Sequence, residues 1–283
     1  MEYALEIRGL CKQYDGFDLR DVDITLPRGS VMGFIGENGA GKTTTIKAIL
    51  GLIRQDAGSI RVLGMDSRQE ERAVKERIGV VLEDGCFLNT LSARQVNVLM
   101  GKAYRGWQPE QFFGCMRRFG IDLDKKIKDY SKGMRMKVSI AAALSHGAEL
   151  LIMDEPTSGL DPVVRDEVLD LFYEFMQEES HAILLSSHIT SDLDKIADYI
   201  TFIHQGSVLL SEPRDALLDT YGLLRCTADQ LASLDPAAVR AKRAGAFGCE
   251  ALVRRDGIPQ GWAVEPVNIE QIMLLLTRGE CNQ

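Results

Sequence analysis

The sequence lacks any run reaching the roughly 18 apolar residues that cross a bilayer, so no segment reads as a transmembrane helix. Its N-terminus, MEYALEIRGL, lacks the basic and then apolar layout of a signal peptide. The cysteines, at 11, 86, 115, 226, 249 and 281, are scattered and form no C-x-x-C pair. That spacing argues against zinc and disulfide frameworks and fits a reducing cytosol. Basic charge is also short: 33 Lys plus Arg stand against 41 Asp plus Glu, a formal net charge of −8. Nucleic acid is therefore not an expected partner, because proteins that grip its backbone carry a basic footprint. Repeats, low-complexity tracts and coiled-coil heptads are absent. At 283 residues, the chain suits one large α/β domain with a small appendage better than two full domains.

What is present is an alternation of short β-rich runs with helical stretches. Leu5 to Arg8 and Val22 to Thr25 read as strands of an antiparallel flank, and Val31 to Ile35 as an apolar strand feeding a Gly-rich loop. A helix is expected over Thr44 to Leu50, with further strands at Ser59 to Val62 and Ile78 to Leu82. From about Ser92 to Ser145 the pattern is helical, broken at Gly106-Trp107-Gln108-Pro109 and near Asp129. Leu150 to Met153, Ala182 to Ser186 and Tyr199 to Ile203 read as strands, separated by helices at Val163 to Met176 and Ser191 to Ala197. Unbroken apolar runs such as Leu150-Leu151-Ile152-Met153 are the mark of strands buried on both faces of a parallel sheet. The expected fold is α/β, a mixed and mostly parallel sheet with an antiparallel β flank and a helical insert over about 84–146. After Glu212-Pro213, a short helix (Arg214 to Thr220) leads into Ala-, Gly- and Arg-rich sequence without strong periodicity. That stretch ends in a strand-like Trp262-Ala263-Val264 and an amphipathic helix, Ile269 to Thr277. The expected domains are 1–220 and a small α+β appendage over 221–283.

The Gly-rich loop, Gly36-Glu37-Asn38-Gly39-Ala40-Gly41-Lys42-Thr43, fits G-x-x-x-x-G-K-[ST] at each fixed position, between an expected strand and helix. Its glycines let successive backbone N–H groups face inward as an anion nest, and the following helix presents its positive end to phosphate. Lys42 supplies a point charge for β and γ oxygens and Thr43 a hydroxyl for Mg²⁺. The fold is thus a P-loop NTPase core. Asp154, ending the run from Leu150, is placed to hold a Mg²⁺ water shell. Glu155 points differently, because side chains alternate along a strand, and is placed to polarise an attacking water.

With Tyr130-Ser131-Lys132-Gly133-Met134 and His188 following in order, residues 3 to 212 resemble the nucleotide-binding subunit of an ATP-binding cassette (ABC) transporter, of exporter type. The resemblance makes Ser131 and Gly133 part of a signature loop that closes over nucleotide held by an opposite subunit. It makes Ser158-Gly159-Leu160-Asp161 the loop linking the two sites, with Asp161 near the nucleotide. His188 becomes the switch histidine on the γ-phosphate and Tyr14 the aromatic ring stacked on adenine. Gly36, Asn38, Gly39, Gly41, Lys42, Thr43 and Thr44 form the phosphate loop. Catalysis falls to Glu155, His188, Lys42 and Glu83, and Mg²⁺ to Thr43, Asp154 and Glu83. Histidines 146, 181 and 204 carry no such motif and read as packing or surface residues.

Two positions depart from the family's pattern. Glu83 stands where Gln is usual, and Lys132 where the signature has Gly. A carboxylate at 83 can still bind Mg²⁺ and water but adds negative charge beside the γ-phosphate. Lys132 keeps the backbone donor and adds a cation. The resemblance further implies ATP and Mg²⁺ as ligands, a second cassette (the same chain or a paralogue), and a separate transmembrane permease. It implies a cytoplasmic place, peripheral on the inner face of the membrane. Phe87 and Leu88, with Leu91, Val96 and Met100, are candidates for a permease groove, against the plainer reading as helix core. The closing segment from Glu265 to Met273 resembles that of exporter ATPases. An alternative is a non-transport ABC ATPase serving a soluble assembly. A GTPase would need an Asn-Lys-x-Asp guanine reader, and none occurs.

Overall fold

The computed structural model describes residues 2–83, 87–245 and 248–281. The chain divides into two compact units, Met1–Ser211 and Glu212–Gln283. The division falls before the helix Arg214–Thr220 rather than after it, because that helix packs onto the strand Tyr221–Cys226.

In the first unit the chain opens with β1 (Tyr3–Tyr14) and β2 (Phe17–Pro27), a hairpin much longer than the short apolar runs announce. The polar ends Lys12-Gln13-Tyr14 and Phe17-Asp18-Leu19 pair with each other, so ladder hydrogen bonds extend the strands beyond their buried part. Next come β3 (Val31–Ile35), α1 (Lys42–Ile49), β4 (Ala57–Val62), β5 (Met65–Asp66), α2 (Glu71–Arg77) and β6 (Ile78–Val81). The insert supplies α3 (Ala93–Ala103), α4 (Pro109–Arg118) and α5 (Lys132–Leu144); its residues 84–86 lie outside the described residues. Then follow β7 (Leu150–Asp154), α6 (Pro162–Phe175), β8 (Ala182–Ser186), α7 (Thr190–Ile196), β9 (Tyr199–His204) and β10 (Ser207–Pro213).

Two sheets result. One is antiparallel in the order β2-β1-β4-β5; the other runs β10-β9-β3-β8-β7-β6, with β9, β3, β8, β7 and β6 parallel. Each residue of β3, β7 and β8 is buried, as strands covered on both faces require. Leu5, Ile7, Ile24, Phe34, Ile46, Ile152 and Leu184 belong to one apolar core shared by the two sheets and α1. The insert has its own core around Val96, Phe112, Met116 and Val138. Ser92 begins α3 with a full capping box, its side chain and that of Gln95 each satisfying the other's backbone N–H.

The second unit holds α8 (Arg214–Thr220), β11 (Tyr221–Cys226), α9 (Ala228–Ala232), β12 (Val239–Gly245), β13 (Gly248–Arg254), β14 (Val264–Glu265), α10 (Ile269–Arg278) and β15 (Glu280–Cys281). Its strands form one antiparallel sheet in the order β14-β11-β13-β12-β15. The aperiodic stretch after Thr220 therefore contains most of a sheet. Its signal is weak because β12, Val-Arg-Ala-Lys-Arg-Ala-Gly, turns an alanine inward where a β-branched residue would announce a strand.

Glu149, just before β7, ties the first unit at the strands' amino ends. It takes two bonds from Arg77 (2.5 and 2.6 Å) and one from Arg28 (3.0 Å). The Arg77 bond, then that from Arg28, holds its carboxyl below the usual carboxylate range. A depressed folded-state value stabilises the fold above the ordinary carboxylate pKa, about 4.3, and that stability drains as pH falls through the folded value. Glu149→Gln is expected to cost about 1–2 kcal/mol at pH 7. The difference in melting temperature from the native chain should shrink progressively as pH falls below the ordinary carboxylate pKa and through the depressed folded value, which thermal unfolding across an acidic pH series checks.

Candidate active site

Parallel strands place their following loops at one edge, where open α/β sheets bind ligands. With β6, β7, β8 and β3 adjacent in the sheet, Glu83, Asp154-Glu155, His188 and the 36–43 loop all leave from that carboxyl edge. The register sets the rest: Val81 lies opposite Met153, Asp154 opposite Ser186, and Ser186 opposite Phe34.

The loop turns from β3 into α1 at Gly41, whose φ of 117° is left-handed. A Cβ there would come within 2.6 Å of Leu19 Cδ2 and 3.1 Å of Phe17 Cζ, so only glycine lets the loop pass beneath the β1–β2 hairpin. Gly36 is buried at the end of β3, Asn38 and Gly39 are exposed on the outer bend, and Thr44 is half-buried in α1. Lys42 is only 6% exposed. Its Nζ donates to the carbonyls of Gly36 (2.7 Å) and Glu37 (3.4 Å) and lies 3.7 Å from Glu155 Oε1. A buried ammonium held chiefly by loop carbonyls is a cation poised for an anion, since carbonyl dipoles compensate a full charge incompletely.

Asp154 accepts one hydrogen bond on each carboxylate oxygen, leaving a lone pair on each. Thr43 Oγ1 donates to Oδ2 and Ser186 Oγ to Oδ1, each at 2.8 Å. A hydroxyl and a carboxylate facing each other at a phosphate loop are the hard oxygen donors that Mg²⁺ takes, so these residues fit that ion. Glu155 has φ of 52°, and its N–H is tied to Ser186 O at 3.1 Å. The turned backbone accompanies a carboxylate set between two partners, with Lys42 on Oε1 and His188 Nδ1–H donating to Oε2 at 2.6 Å. The backbone N–H of His188 reaches the same oxygen at 3.3 Å. Glu155 is buried while the His188 side chain is half-exposed, so the ring can move where the carboxylate cannot.

The structure thus brings Lys42, Thr43, Asp154, Glu155 and His188 into one connected set. Glu83 shares their edge and is exposed, without a bond to them among the described residues. Ser131 caps α5, accepting from Met134 N–H at 3.2 Å, and Asp161 caps α6, accepting from Val163 and Val164 N–H at 3.2 and 3.1 Å. Gly133 faces Leu160 and Val164, so the signature loop sits beside the 158–161 loop of its own chain. Lys132 covers Gly159, where φ is 70° and an added Cβ would stand 3.1 Å from Nζ. Among the described residues, no hydrogen bond or ion pair joins Ser131 or Gly133 to the 36–43 loop. Tyr14 is 46% exposed. Lys12 Nζ lies 5.4 Å from its ring centroid and 2.9 Å from Asp56 Oδ1, while Asp56 Oδ2 takes Gln13 N–H at 2.7 Å. The Lys12 bond, then that of Gln13, holds the Asp56 carboxyl below its usual range. Of the groove candidates, Leu88 is exposed, Val96 is fully buried, and Phe87, Leu91 and Met100 pack against the insert's core. Sequence reasoning missed Ser186, Lys12 and Asp56. A serine closing a fully apolar strand was the available sign for the first; nothing local marks Asp56.

Residues 19–158 match the family model described as ABC transporter. The chain is 34% identical over 220 residues to the bacitracin transport ATP-binding protein BcrA of Bacillus licheniformis, covering 77% of this chain and 72% of that protein. It is 34% identical over 214 residues to the lantibiotic transport ATP-binding protein SrtF of Streptococcus pyogenes, covering 75% and 91%. A solved ATP-binding subunit of an ABC transporter superposes with a TM-score of 0.70 at 29% identity, covering 76% of this chain and 91% of the other.

The Ser186 hydroxyl donates to Asp154, the carboxylate that fits Mg²⁺. Ser186→Ala is expected to raise the Mg²⁺ concentration giving half-maximal ATPase by about tenfold, with Mg²⁺-free nucleotide binding unchanged, as a titration of activity and of binding would record.

Proposed function

The chain belongs to the ABC transporter ATP-binding family, and on that premise we propose that it is the ATP-hydrolysing subunit of an exporter, working as one of two paired cassettes beneath a separate permease. The observation that carries this reading is the position of Glu155, with Lys42 on one oxygen and His188 on the other. In that arrangement the carboxylate is held but partly neutralised. An arriving triphosphate competes for Lys42, whose loop carbonyls hold it loosely, and frees Glu155 Oε1 to accept a proton. A water then gives its proton to Glu155 as its oxygen attacks the γ-phosphorus, and the bond to the β–γ bridging oxygen breaks, leaving ADP and phosphate. His188 follows from Glu155 toward the γ-phosphate. Mg²⁺ at Thr43 and Asp154 would neutralise the phosphate oxygens. Tyr14, backed by Lys12 on one face, offers the other to adenine.

Ser131 and Gly133 are accessible, stand beside the 158–161 loop, and leave their own phosphate loop untouched. That placement supports a site completed by the signature loop of a second cassette, in a two-fold arrangement. Nucleotide then holds the pair together and hydrolysis releases it. No helix among the described residues is long and apolar enough to cross a membrane, which is in keeping with a peripheral subunit carried by a permease. The names of the relatives, bacitracin and lantibiotic transport proteins, favour export of an antimicrobial peptide or similar amphipathic compound. Leu88, apolar and exposed within the insert, is the strongest candidate for permease contact.

Glu155→Gln keeps the shape of the site but removes the base. In that variant ATP should drive a stable dimer visible by size-exclusion chromatography; a chain that stays monomeric at saturating ATP refutes the paired-cassette reading. Removing the extra negative charge with Glu83→Gln should keep or raise ATPase activity. Loss of ATP binding in that variant would contradict the role given to position 83.

A further inference from the structure

The second unit contains a cavity of about 540 Å³ lined by residues from Ala228 to Arg278. Its wall is apolar, including Leu231, Leu234 and Val239, and each charged side chain lining it, Lys242, Arg243 and Arg278, is basic. In a chain of net charge −8, a concavity whose charged lining residues are all cations is suited to an anionic group. Arg243 also pairs with Glu250 at 2.7 Å, but Glu250 is not among the lining residues.

A second observation concerns α9, which overhangs this space. The helix is five residues long and begins with a complete capping box, Gln230 N–H to Thr227 Oγ1 at 3.2 Å and Thr227 N–H to Gln230 Oε1 at 2.9 Å. Yet none of its residues is buried. A single helical turn is unfavourable unless tertiary burial offsets its ordering; here Leu231 is partly buried against the core of Leu224, Leu234, Val239, Ala251 and Val253, while Ala228, Leu231 and Ala232 also line the cavity. The core therefore covers only part of the helix's apolar side, and the rest borders the cavity.

We propose that this cavity is a binding site for a small anionic amphiphile, a molecule with a hydrocarbon body and a single carboxylate, sulfonate or phosphate head. The body would pack between α9 and the Leu234–Val239 wall and extend the burial of the helix. The head would meet Lys242, Arg243 and Arg278. The volume falls within the roughly 300–1,000 Å³ of small-molecule pockets. Concavity selects a dissolved monomer over a bilayer, because a flat membrane surface cannot reach the apolar wall beneath a helix.

Laurate at submicellar concentration is the probe, titrated into the full chain by calorimetry beside dodecanol and dodecyltrimethylammonium. Laurate should saturate at one molecule per chain and bind at least about tenfold more tightly than either comparator. Arg278→Glu, on the surface, should weaken laurate about tenfold while leaving dodecanol unchanged. Leu231→Trp, which fills the cavity, should abolish laurate binding without loss of circular dichroism or of ATPase activity. Equal affinity for the cationic and anionic probes, unsaturable binding, or laurate binding unmoved by both variants would overturn the site. So would binding to phosphatidylglycerol vesicles with none to monomeric laurate. Because neither residue belongs to the ATP site, failure here leaves the hydrolytic reading untouched.

Discussion

Asp154 accepts one hydrogen bond on each carboxylate oxygen, and those two bonds fix the relation of three strand ends. Thr43 reaches it from the helix that β3 feeds, and Ser186 from the end of β8. A charge this deeply buried is tolerated only when it is hydrogen-bonded. The arrangement therefore works in both directions: the strands position the carboxylate, and the carboxylate penalises any slip of the strands. A one-residue shift of β7 against β8 would turn Asp154 to the other face and leave both hydroxyls without an acceptor.

Beside that fixed point the structure puts groups that can move. Glu155 is anchored through its backbone to Ser186 and through its side chain to Lys42 and His188. Lys42 rests on carbonyls, which a phosphate outcompetes, and His188 stands half in solvent. A rigidly bonded carboxylate beside exchangeable charged neighbours suits the proposed hydrolytic role, since chemistry must wait for its substrate. The loops expected to serve a partner's nucleotide are built differently. Ser131 and Asp161 are helix caps in their own chain, so their backbones are held rigid whether or not a second cassette is present.

Much of this was legible in the sequence because it depends on local chemistry. The phosphate loop is recognisable since glycine, lysine and threonine at fixed spacing are required by an anion nest. The buried strands β3, β7 and β8 are recognisable since parallel strands covered on both faces must be apolar throughout. Less legible were features set by distant pairing. The outer halves of β1 and β2 are polar and are strands because each supplies the other's hydrogen bonds. In the second unit, Arg- and Ala-rich β12 is held by the more apolar β13, where Ala251, Leu252 and Val253 are fully buried.

The sequence by itself determined the chemistry available: a cation, a hydroxyl and two carboxylates after strand-like runs, with a histidine after another apolar run. Periodicity and spacing carry that much, because they are properties of the backbone within a single element. Tertiary structure alone decided that Ser186 completes the Asp154 clamp, that Asp56 steadies Lys12 beside Tyr14, and that α9 lies beside a cavity lined by Lys242, Arg243 and Arg278. Each of these depends on strand order and register, which are settled by contacts between residues far apart in the chain and leave no mark in any one segment.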